Sequence, residues 1–378
     1  MKMLSIVCFF LLILLAGCSA DSDTPQSEST STEPPLWVHY EGSADLAKNK
    51  HIVLVSGDEE YRSEEALPQL ARILSEQHGY NCTVLFAQNP EKPGIIDPNY
   101  GENIPGLEAL GKADLMVLFT RYRALPDDQM AYFEQYLTAG KPVIALRTAT
   151  HAFEGIKAES PYKNWSNSHN VEDDPWDGGF GRLVLGERWH THHGHHKQQS
   201  TLGLIAPGAE NHPITNGLED GDIWGPSDVY GVRLPFPGDV QQLILGQVMD
   251  RTDEFDDSDP FYGLKPTDSV VATVNSAAKE PYNPNDPMMP IAWTKSYQLP
   301  SGLTGQSFTS TIGSSTDMAS EGVRRLLVNA VYYMLALEVP PQASVNLEGA
   351  YQPSSFSFHD DEYWLKKDLR VADFLHQK

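Results

Sequence analysis

The stretch HIVLVSGDEEYRSEEALPQLARILSEQHGYNCTVLF, residues 51–86, decides the fold. His51 to Ser56 is a short, apolar, β-branched run of the kind that forms a strand buried on both faces. Ser63 then caps a helix, with Glu64 and Glu65 at the positive end of its dipole. Leu67, Leu70, Ala71 and Leu74 make one apolar stripe along it, and Gly79 stops it. Cys82 to Phe86 reads as the next strand. The alternation continues with a strand at Leu115 to Thr120, a helix from Pro126 to Ala139 stopped by Gly140, and a strand at Val143 to Leu146. Strand and helix alternating at this spacing predict an α/β protein: a mainly parallel central sheet with helices on both faces.

Beyond residue 150 the helical signal fades into Gly, Pro, Trp, His and Asp, so an irregular, strand-rich elaboration is expected. Strands are predicted at Leu202 to Ala206, Leu243 to Val248, Val270 to Val274, Ile291 to Thr294 and Ser307 to Ile312. A last long helix, from Glu321 to Leu337, carries Val323, Leu326, Leu327, Ala330, Val331, Met334 and Leu335 at helical spacing and should pack back on the sheet. The α/β domain thus spans residues 37–340. Residues 341–378 read as a C-terminal surface tail anchored by Trp364 and Phe374.

The N-terminus addresses the chain to an envelope. Lys2 precedes an apolar run from Leu4 to Leu15, and Leu15-Ala16-Gly17-Cys18 resembles a bacterial lipobox. The resemblance implies that residues 1–17 are a lipoprotein signal peptide and that Cys18 carries a lipid tethering the protein to a membrane in the bacterial cell envelope, its domain in the periplasm or outside the cell; the alternative is an ordinary secretory signal with an incidental cysteine. Residues 18–36, rich in Ser, Thr, Pro and acids, form a disordered tether. Of the three cysteines, Cys8 leaves with the signal and Cys18 bears lipid, so Cys82 has no partner for an intrachain disulfide. Stability must come from a hydrophobic core. A formal charge of −24 argues against nucleic acid and favours neutral or cationic small molecules.

In open α/β sheets ligands gather at the carboxyl ends of the strands. After the first strand come Asp58, Tyr61 and Arg62; after the third, Arg121; after the fourth, Arg147, Thr148 and His151. Such a rim, rich in donors, suits hydroxyls or a carboxylate, which makes these residues, with Trp189, the candidate substrate-binding set. The alternative for Arg62 and Arg121 is that they pair with neighbouring acids such as Asp58 and hold loops. The chemistry itself points to HTHHGHH, residues 190–196, which holds five of the thirteen histidines. On a strand or on a helix, His192 and His196 point the same way, and Gly194 between them favours a bent strand or loop. Trp165, Trp176, Trp189 and Trp224 either pack the core or stack on sugar rings. The acidic run Arg251 to Asp259 lacks the glycine and spacing of a calcium loop and reads as solvated. No Gly-x-Gly-x-x-Gly follows the first strand, which disfavours a nicotinamide-dependent dehydrogenase.

GDEEYRSEE (57–65), LRTATHAF (146–153), the Trp189 to His196 segment, His212-Pro213-Ile214, PIAWTK (290–295) and STDMASEGVRRLLVNAVYYML (315–335) together resemble the trehalose-utilisation, or ThuA-like, family. The resemblance runs from His51 to about Glu338. It implies the flavodoxin-like three-layer sandwich of the class I glutamine amidotransferases and a role in carbohydrate metabolism. Those amidotransferases place a cysteine nucleophile in the elbow after the strand matching Val143 to Leu146. Arg147-Thr148-Ala149-Thr150 stands there instead, and Cys82 lies in an apolar strand, so glutaminase activity is not expected. A threonine nucleophile with His151 as its base is a further alternative. His192 and His196 match the outer positions of the family's His-x-Gly-x-His pattern, leaving His193 and His195 as bystanders. With His151 they are the candidate catalytic residues, acting as acid and base or, with His151 or His190 as the third, as three ligands of a divalent transition metal such as zinc. The expected function is that of an enzyme acting on a sugar or oxidised sugar derivative, of isomerase, lyase or hydrolase type. The alternative is a non-catalytic, sugar-binding lipoprotein.

Overall fold

A computed structural model describes residues 33–46, 48–275 and 278–375; the signal, Cys18 and the tether up to residue 32 lie outside them. The strand–helix–strand stretch forms β2 (His51–Gly57), α1 (Ser63–His78) and β3 (Asn81–Phe86). β1 (Trp37–Tyr40) precedes them at the sheet's edge. β4 (Leu115–Thr120), α2 (Asp127–Thr138) and β5 (Val143–Leu146) follow, within a residue of the ranges read from the pattern. The second half supplies β6 (Gln199–Ile205), β7 (Trp224–Gly225), β8 (Gln241–Asp250), β9 (Val270–Val271), β10 (Met289–Gln298) and β11 (Thr304–Ser310). The helices α3 (Glu321–Met334) and α4 (Asp361–Lys367) close the chain.

All these strands join one sheet in the order β1-β3-β2-β4-β5-β11-β10-β8-β6-β7, with β9 on β8. The run β3-β2-β4-β5-β11 is parallel, while the pairings beyond β11, and that of β1, are antiparallel. The protein is therefore mixed α/β with a large, partly parallel sheet and few helices. The expectation of a mainly parallel sheet fails beyond β11 because parallel neighbours need a crossover element. Between β10 and β11 the chain has only a short turn, so they form a hairpin. The strand-rich half is thus a continuation of the sheet, not a layer of its own.

Alternation along β2 divides the core. Ile52 and Leu54 face α1 and α3, in a cluster with Leu67, Leu70, Leu326 and Val331. Val53 and Val55 face the opposite way, with Met130, Phe133 and Leu137 of α2. The C-terminal segment is laced into the first cluster: Phe356, Val371 and Phe374 belong to it, and Trp364 is buried beside it.

One local expectation changes. Ser63 does not cap α1: its hydroxyl bonds Ser56 Oγ at 2.8 Å and accepts from Asp58 N at 3.1 Å, and the cap position falls to Arg62 in the left-handed region, φ 61°. Gly57 allows close approach, since a Cβ there would meet Thr120 Cγ2 at 3.2 Å and Arg123 Cδ at 3.3 Å. Gly79 ends α1 as expected, at φ 72°.

Candidate functional site

The rim after β2, β4 and β5 is conformationally strained. Arg62 (φ 61°), Tyr122 (φ 48°) and Arg147 (φ 48°) all adopt the left-handed backbone region. For residues with a Cβ this costs about 1–2 kcal/mol each, so surrounding packing must impose it. Hydrogen bonds from Arg121 N to Gly57 O (2.8 Å) and from Tyr122 N to His151 O (2.9 Å) stitch the three turns together. Asp58 closes the first turn: its carboxylate accepts from the amides of Glu60 and Tyr61 and from Thr148 Oγ1 at 2.5 Å. The elbow after β5 exists, with Arg147 at its strained position.

Arg147 is fully buried between the faces of Tyr61 and Tyr230, 4.3 and 4.0 Å from their ring centres. It donates to Asp228 Oδ1 at 2.9 Å, to Asp228 O at 2.6 Å and to Thr311 O. Asp228 carries the centre. Its Oδ2 lies 2.7 Å from His192 Nδ1 and its Oδ1 3.0 Å from His196 Nδ1, so one buried carboxylate orients both imidazoles, whose rings stand 5.0 Å apart. Burial pushes the Asp228 carboxyl up, but Arg147 and the bonds to both histidines outweigh it and hold the group well below the usual range. For His192 the balance runs the other way: burial would lower it, and the hydrogen bond and charge of Asp228 raise it.

Glu60 completes the centre. Oε1 lies 3.6 Å from His196 Nε2 and Oε2 3.5 Å from Arg121 Nε. Burial, reinforced by the Asp58 charge, pushes its carboxyl up to about 7. Glu59 beside it takes up two guanidinium groups, Arg121 and Arg123, the latter at 2.6 Å. His151 is buried under Trp189 (ring centres 5.3 Å apart) and Tyr122 (4.9 Å). Burial, then the charges of Arg121 and Arg147, hold it well below the ordinary imidazole value, so it is neutral near pH 7.

The sequence-derived residues thus converge on one place in different roles. His192 and His196 meet as expected, while Trp189 stands against His192 at 5.6 Å. Asp58, Tyr61, Arg62, Arg147 and Thr148 differ from the expected substrate clamps, because they are buried and bonded within the protein. Arg62 donates to Ser357 O at 2.6 Å and lies over Trp364. Arg121 pairs with Glu59 and Glu60, the loop-holding alternative with different acids from the one expected. The Thr148 hydroxyl is committed to Asp58, and Thr150 Oγ1, 3.2 Å from His151 Nδ1, is itself buried. Among the described residues, the ligand atoms that lie close enough for a metal, within 4.8 Å of one another, belong to His192, His196 and Asp228. Asp228 stands where His151 was expected, since His151 is packed among rings. His193 is pinned by Tyr282 Oη and Pro284 O, and His212 caps a turn by accepting from Ile214 N. Trp165 stacks on Trp176 and Phe180 in the core, so of the four tryptophans Trp189 is the one at the histidines.

Asp228, Tyr230, Glu60 and Phe356 were not singled out by sequence. Asp228 and Tyr230 lie in PSDVYG, which has no periodicity or motif, and Glu60 is one of two equivalent acids until the turn aims it.

The fold and site define a mixed α/β protein with a carboxylate-oriented histidine pair at the ends of its parallel strands. No family model matches the chain, and no curated protein matches it. Among solved structures it is similar to one described as a ThuA-like protein from Parabacteroides merdae ATCC 43184. The identity is 12%, the match covers 82% of this chain and 97% of that one, and the TM-score is 0.42.

Proposed function

We propose that this protein is an enzyme of ThuA-like type, built on a flavodoxin-like sheet, that moves a proton on a sugar or oxidised sugar derivative with His192, His196 and Glu60. The observation that carries the reading is the single buried carboxylate of Asp228 bonded to Nδ1 of both imidazoles. With both Nδ1–H groups donated to it, each Nε2 bears a lone pair and serves as a base. Glu60, titrating near 7 and 3.6 Å from His196 Nε2, can take up or return that proton. Such a set suits removal of a proton beside a carbonyl and its return to oxygen or carbon, the core of isomerisation and elimination. In this reading the chain is lipidated at Cys18 and works in the bacterial envelope, supported by the apolar run and lipobox pattern of its first residues.

The test follows solvent deuterium by NMR into a panel of hexoses, disaccharides and their keto derivatives. The wild-type protein should label or convert at least one, and His192→Ala and His196→Ala should each abolish this while remaining folded. Retained turnover in both variants would overturn the assignment. A second reading is favoured by the spacing of the donor atoms of His192, His196 and Asp228, a nitrogen–oxygen set that fits zinc or a similar divalent ion. Such a metal would supply Lewis-acid polarisation of a carbonyl oxygen. Elemental analysis decides: one equivalent lost in His192→Ala/His196→Ala supports the metal, and a metal-free, fully active preparation removes it.

A further inference from the structure

The carboxyl-terminal segment runs directly over the rim. Ser357 N donates to Glu60 O at 2.9 Å, Arg62 Nη2 to Ser357 O at 2.6 Å and Lys197 Nζ to Ser357 Oγ at 3.1 Å, while Tyr262 Oη donates to Phe356 O. Phe356 is wholly buried, stacked on Tyr61 (5.2 Å) and edge-on to His196 (5.2 Å). Two residues on, Phe358 leaves 55% of its surface in water. Its ring lies 4.8 Å from the Arg121 guanidinium carbon, and the ring of Tyr122 lies 4.6 Å from the same atom. Arg121 in turn contacts Glu60, which faces His196.

We propose that Phe358, with Arg121 and Tyr122 beside it, is an aromatic platform for the apolar face of a sugar ring whose reacting carbons reach the His192–His196 pair. The proposal rests on the sugar reading above and assigns the tail a specificity role. A pyranose presents a face of C–H bonds and an edge of hydroxyls. An exposed ring takes the first, and the Arg121 guanidinium beside it meets the second. Residues 356 and 357 just before the ring are held by hydrogen bonds, so stacking on it costs little further backbone entropy. Trp189, half-buried beside His192, offers a further aromatic surface at the histidines.

Calorimetric titration tests this with a panel of neutral saccharides, maltose and cellobiose among them, and their keto derivatives, using the open-chain polyol sorbitol as control. For the saccharide that binds, Phe358→Ala should weaken affinity about fivefold, Phe358→Trp should restore it, and sorbitol binding should not change, because an acyclic polyol has no ring face. The unfolding midpoint of Phe358→Ala should stay at the wild-type value, since the side chain is exposed. Unchanged saccharide affinity in Phe358→Ala overturns the platform and leaves the sugar reading standing. Absence of any saccharide binding or conversion by the wild-type protein overturns both.

Discussion

Replacing Asp228 by Asn keeps the side-chain shape and removes its charge. Asp228 and Arg147 meet at 2.9 Å with both side chains fully excluded from solvent. Breaking a buried pair from one side leaves the other charge uncompensated, at a cost of about 3–5 kcal/mol. Arg147 keeps the carbonyls of residue 228 and Thr311 and the faces of two tyrosines, so the loss should sit near the lower end, about 3 kcal/mol. That is a large part of the roughly 5–15 kcal/mol that holds a domain folded. The depressed pKa of Asp228 means its stabilisation is present above its unfolded value, about 3.9, and is lost only as pH falls through the folded value. His192 has the opposite sign: its raised pKa gives stabilisation that is full below about 6.5 and fades as pH rises through the folded value. In the variant, burial acts without the carboxylate, so the His192 pKa should fall below the ordinary value. Urea unfolding followed by tryptophan fluorescence reads the first effect, and NMR titration of the imidazoles the second. A loss under about 1 kcal/mol, or an unchanged His192 pKa, would refute the view that Asp228 binds Arg147 and orients the pair.

Three further outcomes follow from the same geometry. Glu60 titrates near 7, so the wild-type fold loses stability as pH rises from about 4.5 to 7, and Glu60→Gln should gain on it across that range by up to about 3 kcal/mol while losing turnover. Urea midpoints at pH 5 and 8 measure this, and an equal change at both would contradict it. Phe356→Ala, at a fully buried position against Tyr61 and His196, should cost about 3–5 kcal/mol of unfolding free energy and lower turnover even where the protein remains folded. Cys82 is fully buried and its thiol is pushed up by burial, so Cys82→Ala should cost about 1 kcal/mol and leave turnover intact; lost turnover in a folded variant would give the thiol a role it is not assigned here.

Much of the first half was legible because its signals are local. The β-branched run of β2, the stripe of α1 and the stop at Gly79 are consequences of backbone geometry within a few residues. The second half was legible as strands but not as pairings. Whether β10 joins β8 or a separate sheet depends on edges presented by distant residues. At the site, spacing and the family pattern both pointed to His192 and His196, and their rings stand 5.0 Å apart. Asp58 and Arg147 turn inward instead of serving as clamps, since a charged residue after a strand looks the same in sequence whether it faces solvent or a buried partner.

By itself, the sequence determined the strands and helices of the first half, which faces they bury, and that His192 and His196 lie on one side of their segment. Each of these follows from residue type and spacing. Only the tertiary structure decided that Asp228, 81 residues from Arg147, is the carboxylate between them, and that a segment 295 residues from Arg62 covers the rim. The physical reason is that a buried charge is stable only where a partner arrives from elsewhere in the chain, and such meetings are set by how the sheet closes, not by any local pattern.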